Sequence, residues 1–540
     1  MKRLPLGIQS FREIIEGDYV YADKTKYVYD LINTDKYYFL SRPRRFGKSL
    51  LLDTIAEVFS GDKELFKGLW IYDSDHDFAQ HPVIRFDMSG IANETPEILS
   101  KSLLSVMKKR VVDEALNIDV SIPSDTFRDL LEGLNKKHGK KVVVLIDEYD
   151  KPILDHLHDL ETAEANRKVL RRFYGTLKSL GPCLMMTFIT GVSKFTKTSL
   201  FSELNNLTDI TLLREFASIC GIPIEDLDKL FHEHIESMSS LESLRFCENI
   251  HDEILAWYDG YSWDGENRVL NPFGLLMFMR QQRFTSFWYA SGSPKFLMDI
   301  IKKREEGYIN LNNLEMGDWS LDSFDIDKID VEPLLFQTGY LTVKKAMIDQ
   351  RPAAFRLGIP NYEVRVAFNL HLLTEFVEKG GNFTESAYRR INKALEDGDL
   401  QGMLDQLKGL FASIPYELHI KHESYYHSIF LATMNLLGFD VDAEVSVSGG
   451  RVDAVLELGD KVYVMEFKYA HCSKDTPPEE KRTLFDEALE QGLQQIKSRG
   501  YADKYAGSGK TVHLAAFAFL GRDDIELRME TRQTLCSGRP

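Results

Sequence analysis

Residues 37–54 read YYFLSRPRRFGKSLLLDT. The first four form an apolar run that predicts a strand, Arg42 to Phe46 a basic loop, and the residues from Ser49 onward the opening of a helix. A Gly47-Lys48-Ser49 step at a helix start puts backbone amides and the positive end of the helix dipole where a phosphate binds. In such a loop Lys48 reaches the β- and γ-phosphates and Ser49 ligates magnesium. The departure from G-x-x-x-x-G-K-[ST] is Arg42, which stands where the first glycine belongs.

A second half for this site lies about a hundred residues downstream, where KKVVVLIDEYD (140–150) carries a buried-strand pattern into adjacent carboxylates, Asp147 and Glu148. Asp147 is expected to hold the magnesium shell and Glu148 to polarise an attacking water. VIRFDM (83–88) falls between the two strands in sequence, which predicts that it separates them in the sheet, the arrangement of ATPases with a catalytic glutamate. LMMTFIT (184–190) ends in Thr190 before Gly191, where a side chain can sense the γ-phosphate; a threonine finishing a strand at a turn explains it equally well.

At 540 residues the chain exceeds what one hydrophobic core supports, so several domains are expected. With 44% apolar and 28% charged residues it has the composition of a globular protein, and no apolar run is long enough to span a bilayer. MKRLPLGIQSF at the start is too short in apolar residues for a secretory signal, so a cytoplasmic location and no membrane partner are expected. Cys183, Cys220, Cys247, Cys472 and Cys536 are scattered and form no C-x-x-C pair, which argues against a disulfide framework or a zinc site. The net charge of −17 does not exclude a nucleic-acid partner, because salt screens exposed charge over about 8 Å and local basic surface governs a groove.

The pattern along the chain predicts an α/β protein in four parts. Residues 1–212 alternate short strands with amphipathic stretches, as a wound, mostly parallel sheet does. Residues 213–320 lose strand signals and read as an aromatic-rich α-helical lid. Residues 321–415 read as a small winged-helix-like and helical connector. From 416 to 540 a second α/β unit follows: a helix through YYHSIFLATMNLL, strands near AEVSVS, RVDAVLEL and VYVMEFK, a helix through EALEQGLQQIK, and a last strand VHLAAFAFL.

The stretches YVYADKTKYVYDL, SRPRRFGKSLLLDT, VVVLIDEYDKP, TFITGVSKFT, SLFSELNNLTDIT, WYDGYSW and NPFGLL resemble the bacterial AAA-ATPase-like proteins. In that family RPRRFGKS is the usual phosphate loop, so the resemblance makes Arg42 an ordinary member of it. It implies ATP and Mg2+ as cofactors, a nucleotide site through Arg44, Arg45, Phe46, Gly47, Lys48, Ser49, Leu50, Asp147 and Thr190, and an arginine supplied by a neighbour in a homo-oligomer. The three loop arginines, Arg42 included, have the chemistry to contact phosphates or a neighbouring subunit, or to form a solvated basic loop. Trp257, Tyr258, Tyr261 and Trp263 are better explained by packing in the lid than by stacking on bases.

The second chemical site is read from RVDAVLELGDKVYVMEFK (451–468). Strand periodicity puts Glu466 and Lys468 on one face, with Met465 and Phe467 on the other. Two charges ending an apolar run need a reason, since burying an unpartnered polar group costs about 1–3 kcal/mol. D-x(n)-E-x-K here resembles the PD-(D/E)xK nuclease superfamily, which the AAA-ATPase-like family often carries at its C-terminus. By that resemblance Asp453 and Glu466 bind a divalent metal, Mg2+ or Mn2+, and Lys468 orients or activates the attacking water. Glu423 adds a metal-shell carboxylate, and Gln495 and Tyr501 support the site from a later helix. Val452 replaces the proline of the family motif. His419, His422 and His427 lack acidic or cysteine partners at ligand spacing and read as ordinary histidines.

Together these features predict ATP-gated or ATP-driven, metal-dependent cleavage of nucleic acid, DNA ahead of RNA; the family resemblance extends this to defence or mobile-element biology. The alternative is a nucleotide-dependent switch whose C-terminal fold binds nucleic acid or protein without cutting.

Overall fold

A computed structural model describes residues 1–194, 200–201, 204, 206–238, 241, 244, 249–290, 314–321, 331–349, 353–376, 381–411, 433, 445–447, 450–452, 454–458, 460–470, 476–498, 500, 505, 509–520 and 524–533. The chain divides into two compact units, Met1–Leu297 with Asn313–Glu363, and Met298–Asn312 with Val364–Pro540. Among the described residues no helix is long and apolar enough to cross a membrane, and Cys183 and Cys220 are free thiols.

The first unit is built on a parallel sheet of β1 (Tyr37–Ser41), β2 (Val83–Asp87), β3 (Val142–Asp147), β4 (Leu184–Gly191) and β5 (Thr208–Asp209), in the order β2-β3-β4-β1-β5. The phosphate-loop strand and the Asp147 strand are therefore separated, but by β4 and not, as expected, by VIRFDM. The reason is visible in the side chains. β1 and β3 are buried along their whole length and β4 nearly so, as central strands must be, whereas β2 alternates and carries Arg85 and Asp87, which suits an edge.

Helix α1 (Lys48–Val58) follows the phosphate loop. Helices α2 (Pro96–Asp113), α3 (Pro123–His138) and α4 (Leu160–Gly175) pack on one another as a layer against the sheet. Phe86 of β2 meets Phe127 of α3 and Phe173 of α4 edge-on, with ring centres 5.3 and 5.2 Å away, while those two rings stack at 4.5 Å. Three aromatic side chains thus join sheet and helices with geometries that satisfy their quadrupoles.

Among the described residues of 213–320 helices dominate, with α5 (Ile224–Met238), α6 (Ile250–Tyr258) and α7 (Pro272–Gln281). Strands are not absent, however: β6 (Ile222–Pro223) pairs with β7 (Val269–Leu270). The NPFGLL stretch is a helix start. Asn271 accepts a hydrogen bond from the Gly274 amide and Pro272 takes the first turn, where its missing N–H costs nothing. Strands β8 (Leu314–Gly317), β9 (Thr342–Met347) and β10 (Ala354–Gly358) form a small antiparallel sheet, and a helix, Val331–Thr338, lies between β8 and β9 in the chain.

In the second unit α8 (Gly381–Asp397) packs on α9 (Leu400–Phe411). Strands β11 (Val445–Val447) and β12 (Gly450–Val452) pair as a ribbon. The main sheet is β13 (Ala454–Leu458), β14 (Lys461–Ala470), β15 (Thr511–Leu520) and β16 (Asp524–Gln533) in that order, β14 and β15 running parallel around α10 (Pro478–Ser498). VHLAAFAFL is therefore not the last strand. β16, DIELRMETRQ, escapes an apolar-pattern reading because its charges pair with α10: Arg528 with Asp486 at 2.6 Å, Arg482 with Glu526 at 3.0 Å and Lys497 with Glu530 at 2.6 Å. Val462, Val464, Leu489, Leu493, Ile496 and Leu514 make the core between sheet and helix.

Candidate functional site

The first site forms where β1, β3 and β4 end together. Leu40 lies opposite Thr190 and Ser41 opposite Gly191 in the register of β1 and β4. The loop then turns through Arg45 (φ 67°) and Gly47 (φ 94°), both left-handed, into α1. A Cβ at Gly47 would meet nothing within 4 Å, so the backbone angle, not space, calls for glycine there. Lys48 is 5% exposed and its ammonium donates to the carbonyls of Arg42 (2.8 Å) and Pro43 (3.0 Å). Burial holds its pKa below the ordinary lysine value, against the pull of Asp147 and Glu148.

Arg42 does not face the cleft. It is fully buried, donates to the carbonyls of Ser41 (2.9 Å), Thr211 (2.9 Å) and Phe216 (3.2 Å), and lies 3.9 Å from the centre of the Trp263 ring. Both expectations for Arg42, contact with phosphate or a neighbouring subunit and a solvated loop position, are corrected: with three carbonyls and an aromatic face around it, the buried guanidinium pins the loop from behind. Phe46 does the same with its side chain, edge-on to Tyr261 (4.7 Å) and Trp263 (5.7 Å). Trp288 adds a hydrogen bond from Nε1 to the Arg44 carbonyl at 2.9 Å. Tyr258, Tyr261 and Trp263 are buried, and Trp257 is partly buried with its ring 5.8 Å from Phe284 and 4.8 Å from Tyr362.

Arg44, Arg45, Gly47, Lys48, Ser49 and Glu148 line a cavity of about 400 Å³, with Leu50 and Lys151 on its wall. Arg45 rests over the Phe273 ring at 5.2 Å. An apolar pocket of about 100 Å³ adjoins it, sharing Gly47, Leu50, Pro272 and Leu276 and lined further by Val20, Phe46 and Phe231. Asp147 is buried and accepts from Thr190 Oγ1 at 2.7 Å and from the Glu148 amide at 3.1 Å. Glu148 itself is left-handed (φ 49°), and burial raises its pKa, opposed by Lys48.

The structure brings in groups that sequence reading missed. Arg85 bridges Asp53 (2.6 Å) and the Ser49 carbonyl (3.1 Å), holding the first turn of α1 to β2. Asp150 is buried and accepts from the amides of Val192 and Ser193. Its only sequence signal was a second aspartate three residues past Asp147.

These residues suit a nucleotide and its metal: amides at the start of an eleven-residue helix, a buried lysine, and the Ser49 hydroxyl and Asp147 carboxylate as oxygen donors for a hard cation.

In the second unit Glu466 and Lys468 share one face of β14, continuing the stripe of Val462 and Val464 beneath α10. Glu466 is 1% exposed. Lys468 Nζ donates to Glu466 Oε1 at 3.0 Å and to Gln495 Oε1 at 2.8 Å, and Gln495 Nε2 donates to the same Glu466 oxygen. Gly492, one turn before Gln495, lets α10 come close: a Cβ there would lie 2.8 Å from that of Ala516. Glu423, Asp453 and Tyr501, like His419, His422 and His427, lie outside the described residues. Among the described residues no three potential metal ligands cluster.

Fold and sites define a P-loop α/β unit with a parallel central sheet, followed by a mixed-sheet unit with an E-x-K strand. A family model described as predicted AAA-ATPase matches residues 5–201, and one described as PD-(D/E)XK nuclease superfamily matches residues 421–527. The chain is 36% identical over 526 residues, 96% of each chain, to an uncharacterized protein in the vnfD 5' region of Azotobacter chroococcum mcd 1. The chain belongs to the family of predicted AAA-ATPases that carry a C-terminal PD-(D/E)XK nuclease superfamily domain.

Proposed function

We propose that the protein binds and hydrolyses ATP with Mg2+ and uses that cycle to drive or gate metal-dependent cleavage of nucleic acid, DNA ahead of RNA. The observation that carries the first half is the convergence of Lys48, Ser49, Asp147 and Glu148 at the ends of two strands, with Lys48, Ser49 and Glu148 on one cavity. The bound metal would neutralise charge between the β- and γ-phosphates. Lys48 exchanges its loop carbonyls for phosphate oxygens, Ser49 and Asp147 hold the metal's coordination sphere, and Glu148 takes a proton from the attacking water. Its carboxylate, made more basic by burial, is suited to that step.

For the second half, the support is the buried Glu466 joined to Lys468 and Gln495. With Asp453, Glu466 would hold a divalent metal whose role is to polarise the phosphodiester and lower the pKa of water. Lys468 then stabilises charge on the phosphorane oxygens, and Gln495 fixes the lysine's direction. The family resemblance supports a homo-oligomer.

The test is cleavage of labelled single- and double-stranded DNA and RNA by wild type and Glu466→Ala, with Mg2+ or Mn2+, with and without ATP. Cutting that requires Glu466 establishes the nuclease, and its ATP dependence establishes the gate. ATP hydrolysis with no cutting under any condition turns the reading to a nucleotide-dependent switch.

A further inference from the structure

Glu148 has a side chain yet adopts a left-handed backbone, φ 49°. That conformation costs about 1–2 kcal/mol and persists only where the surroundings impose it. Here the next two residues are bound to the end of β4. The Tyr149 amide donates to the Thr190 carbonyl at 3.0 Å, and its hydroxyl donates to the Ser193 carbonyl at 3.1 Å. Asp150, 1% exposed, takes three donors on one oxygen: the amides of Val192 (3.1 Å) and Ser193 (2.6 Å) and the Ser193 hydroxyl (2.5 Å). Strand ends could hardly approach more closely, because a Cβ on Gly191 would sit 2.5 Å from the Tyr149 ring and 2.6 Å from Asp150 Oδ1.

Asp150 is not on the wall of the phosphate cavity, so its burial has no explanation in nucleotide contact. We infer that Asp150 is a positioning residue: by tying residues 149–150 to 192–193 it holds Glu148 left-handed, with its carboxylate on the cavity wall beside Lys48 and Ser49. The same tie keeps Asp147 against Thr190. The inference rests on reading Glu148 as the group that activates water. Without the carboxylate of Asp150 the turn is free to relax to a right-handed conformation, which swings the Glu148 side chain away while leaving Lys48, Gly47 and Ser49 in place.

Asp150→Ala, Asp150→Asn and Ser193→Ala in the full chain test it, with kcat and KM for ATP, nucleotide affinity, and amide hydrogen exchange at residues 149 and 190–193. Asp150→Ala is expected to lower kcat on the order of 100-fold, the scale of a catalytic group misplaced by about 1 Å, with nucleotide affinity retained. Asp150→Asn keeps an acceptor oxygen and Ser193→Ala removes one donor of three, so both fall between Asp150→Ala and wild type, and exchange of the 192 and 193 amides rises in the same order. Loss of kcat and affinity together, or an unchanged kcat in folded Asp150→Ala, overturns the inference. The exchange experiment needs no turnover: unchanged protection at 149 and 192–193 in Asp150→Ala overturns the tie, whereas a wild type that hydrolyses nothing while those amides lose protection overturns the ATPase reading instead. Should Asp150→Ala fail to fold, Ser193→Ala decides, since an unchanged kcat with unchanged exchange there refutes the tie.

Discussion

The Arg42 guanidinium lies 3.9 Å from the centre of the Trp263 ring, so the first residue of the phosphate loop is anchored in a segment more than two hundred residues away in sequence. Trp263 also meets Phe46, and through these contacts the shape of the loop depends on the packing behind it.

Replacing Arg42 by Ala leaves the carbonyls of Ser41, Thr211 and Phe216 without that donor and opens a cavity beside Trp263. A loss of about 2–4 kcal/mol in unfolding free energy is expected. Arg42→Lys restores little, because an ammonium cannot span the three carbonyls in one plane. Urea unfolding of the two variants measures both; equal stability to wild type would refute the anchoring role.

Lys48→Ala and Glu148→Gln separate binding from turnover. The first is expected to weaken nucleotide binding, as read by a fluorescent ATP analogue. The second keeps binding and lowers hydrolysis by about 10²–10⁴-fold, the usual weight of a general base. Gly47→Ala falls between them: its Cβ meets open space, but the left-handed angle costs about 1 kcal/mol and shifts the phosphate-facing amides.

At the second site Lys468→Ala is expected to reduce cleavage by about 10²–10³-fold while divalent-metal binding survives, since the lysine acts on charge and not on the metal. Gln495→Ala, which frees the lysine, lowers cleavage less. Chelation of divalent metal abolishes it. Isothermal titration with Mn2+ alongside a cleavage assay distinguishes these outcomes, and metal binding lost in Lys468→Ala would sink the assignment.

Stability should depend on pH through Glu363. It is fully buried and accepts from the Trp288 amide at 2.5 Å, and burial pushes its carboxyl up to about 8. Between an unfolded value near 4.5 and about 8 the folded state holds the proton and the unfolded state does not. Stability from this group is therefore full below about pH 4.5, falls as pH rises and levels off above about 8. Glu363→Gln, neutral and still able to accept from Trp288, is expected to flatten that slope between pH 5 and 8 in thermal melts. An unchanged slope would remove Glu363 from the account.

Local sequence reaches the motifs of both sites but not the order of the strands that carry them. GKS before a helix, DE after an apolar run, and E-x-K on a strand are short-range patterns in which spacing along the chain dictates which atoms face together, and the structure places each on the element its pattern predicts. The order of strands is not such a pattern. VIRFDM lies between the lysine and carboxylate strands in sequence, yet β4 occupies that place in the sheet, because burial on both faces selects the nearly continuous apolar run LMMTFIT over one interrupted by Arg85 and Asp87.

By itself, then, the sequence determined the short-range patterns: a Gly-Lys-Ser loop at a helix start, an adjacent acid pair closing an apolar strand and an E-x-K strand, since each needs only neighbouring residues. Only the tertiary structure decided that Arg42 faces Trp263 and not phosphate, that Asp150 binds the amides of Val192 and Ser193, and that Arg85 ties Asp53 and the Ser49 carbonyl to β2. Each of those pairings joins residues far apart in the chain or on different elements, and buried polar groups find such partners only when packing has removed water as the alternative.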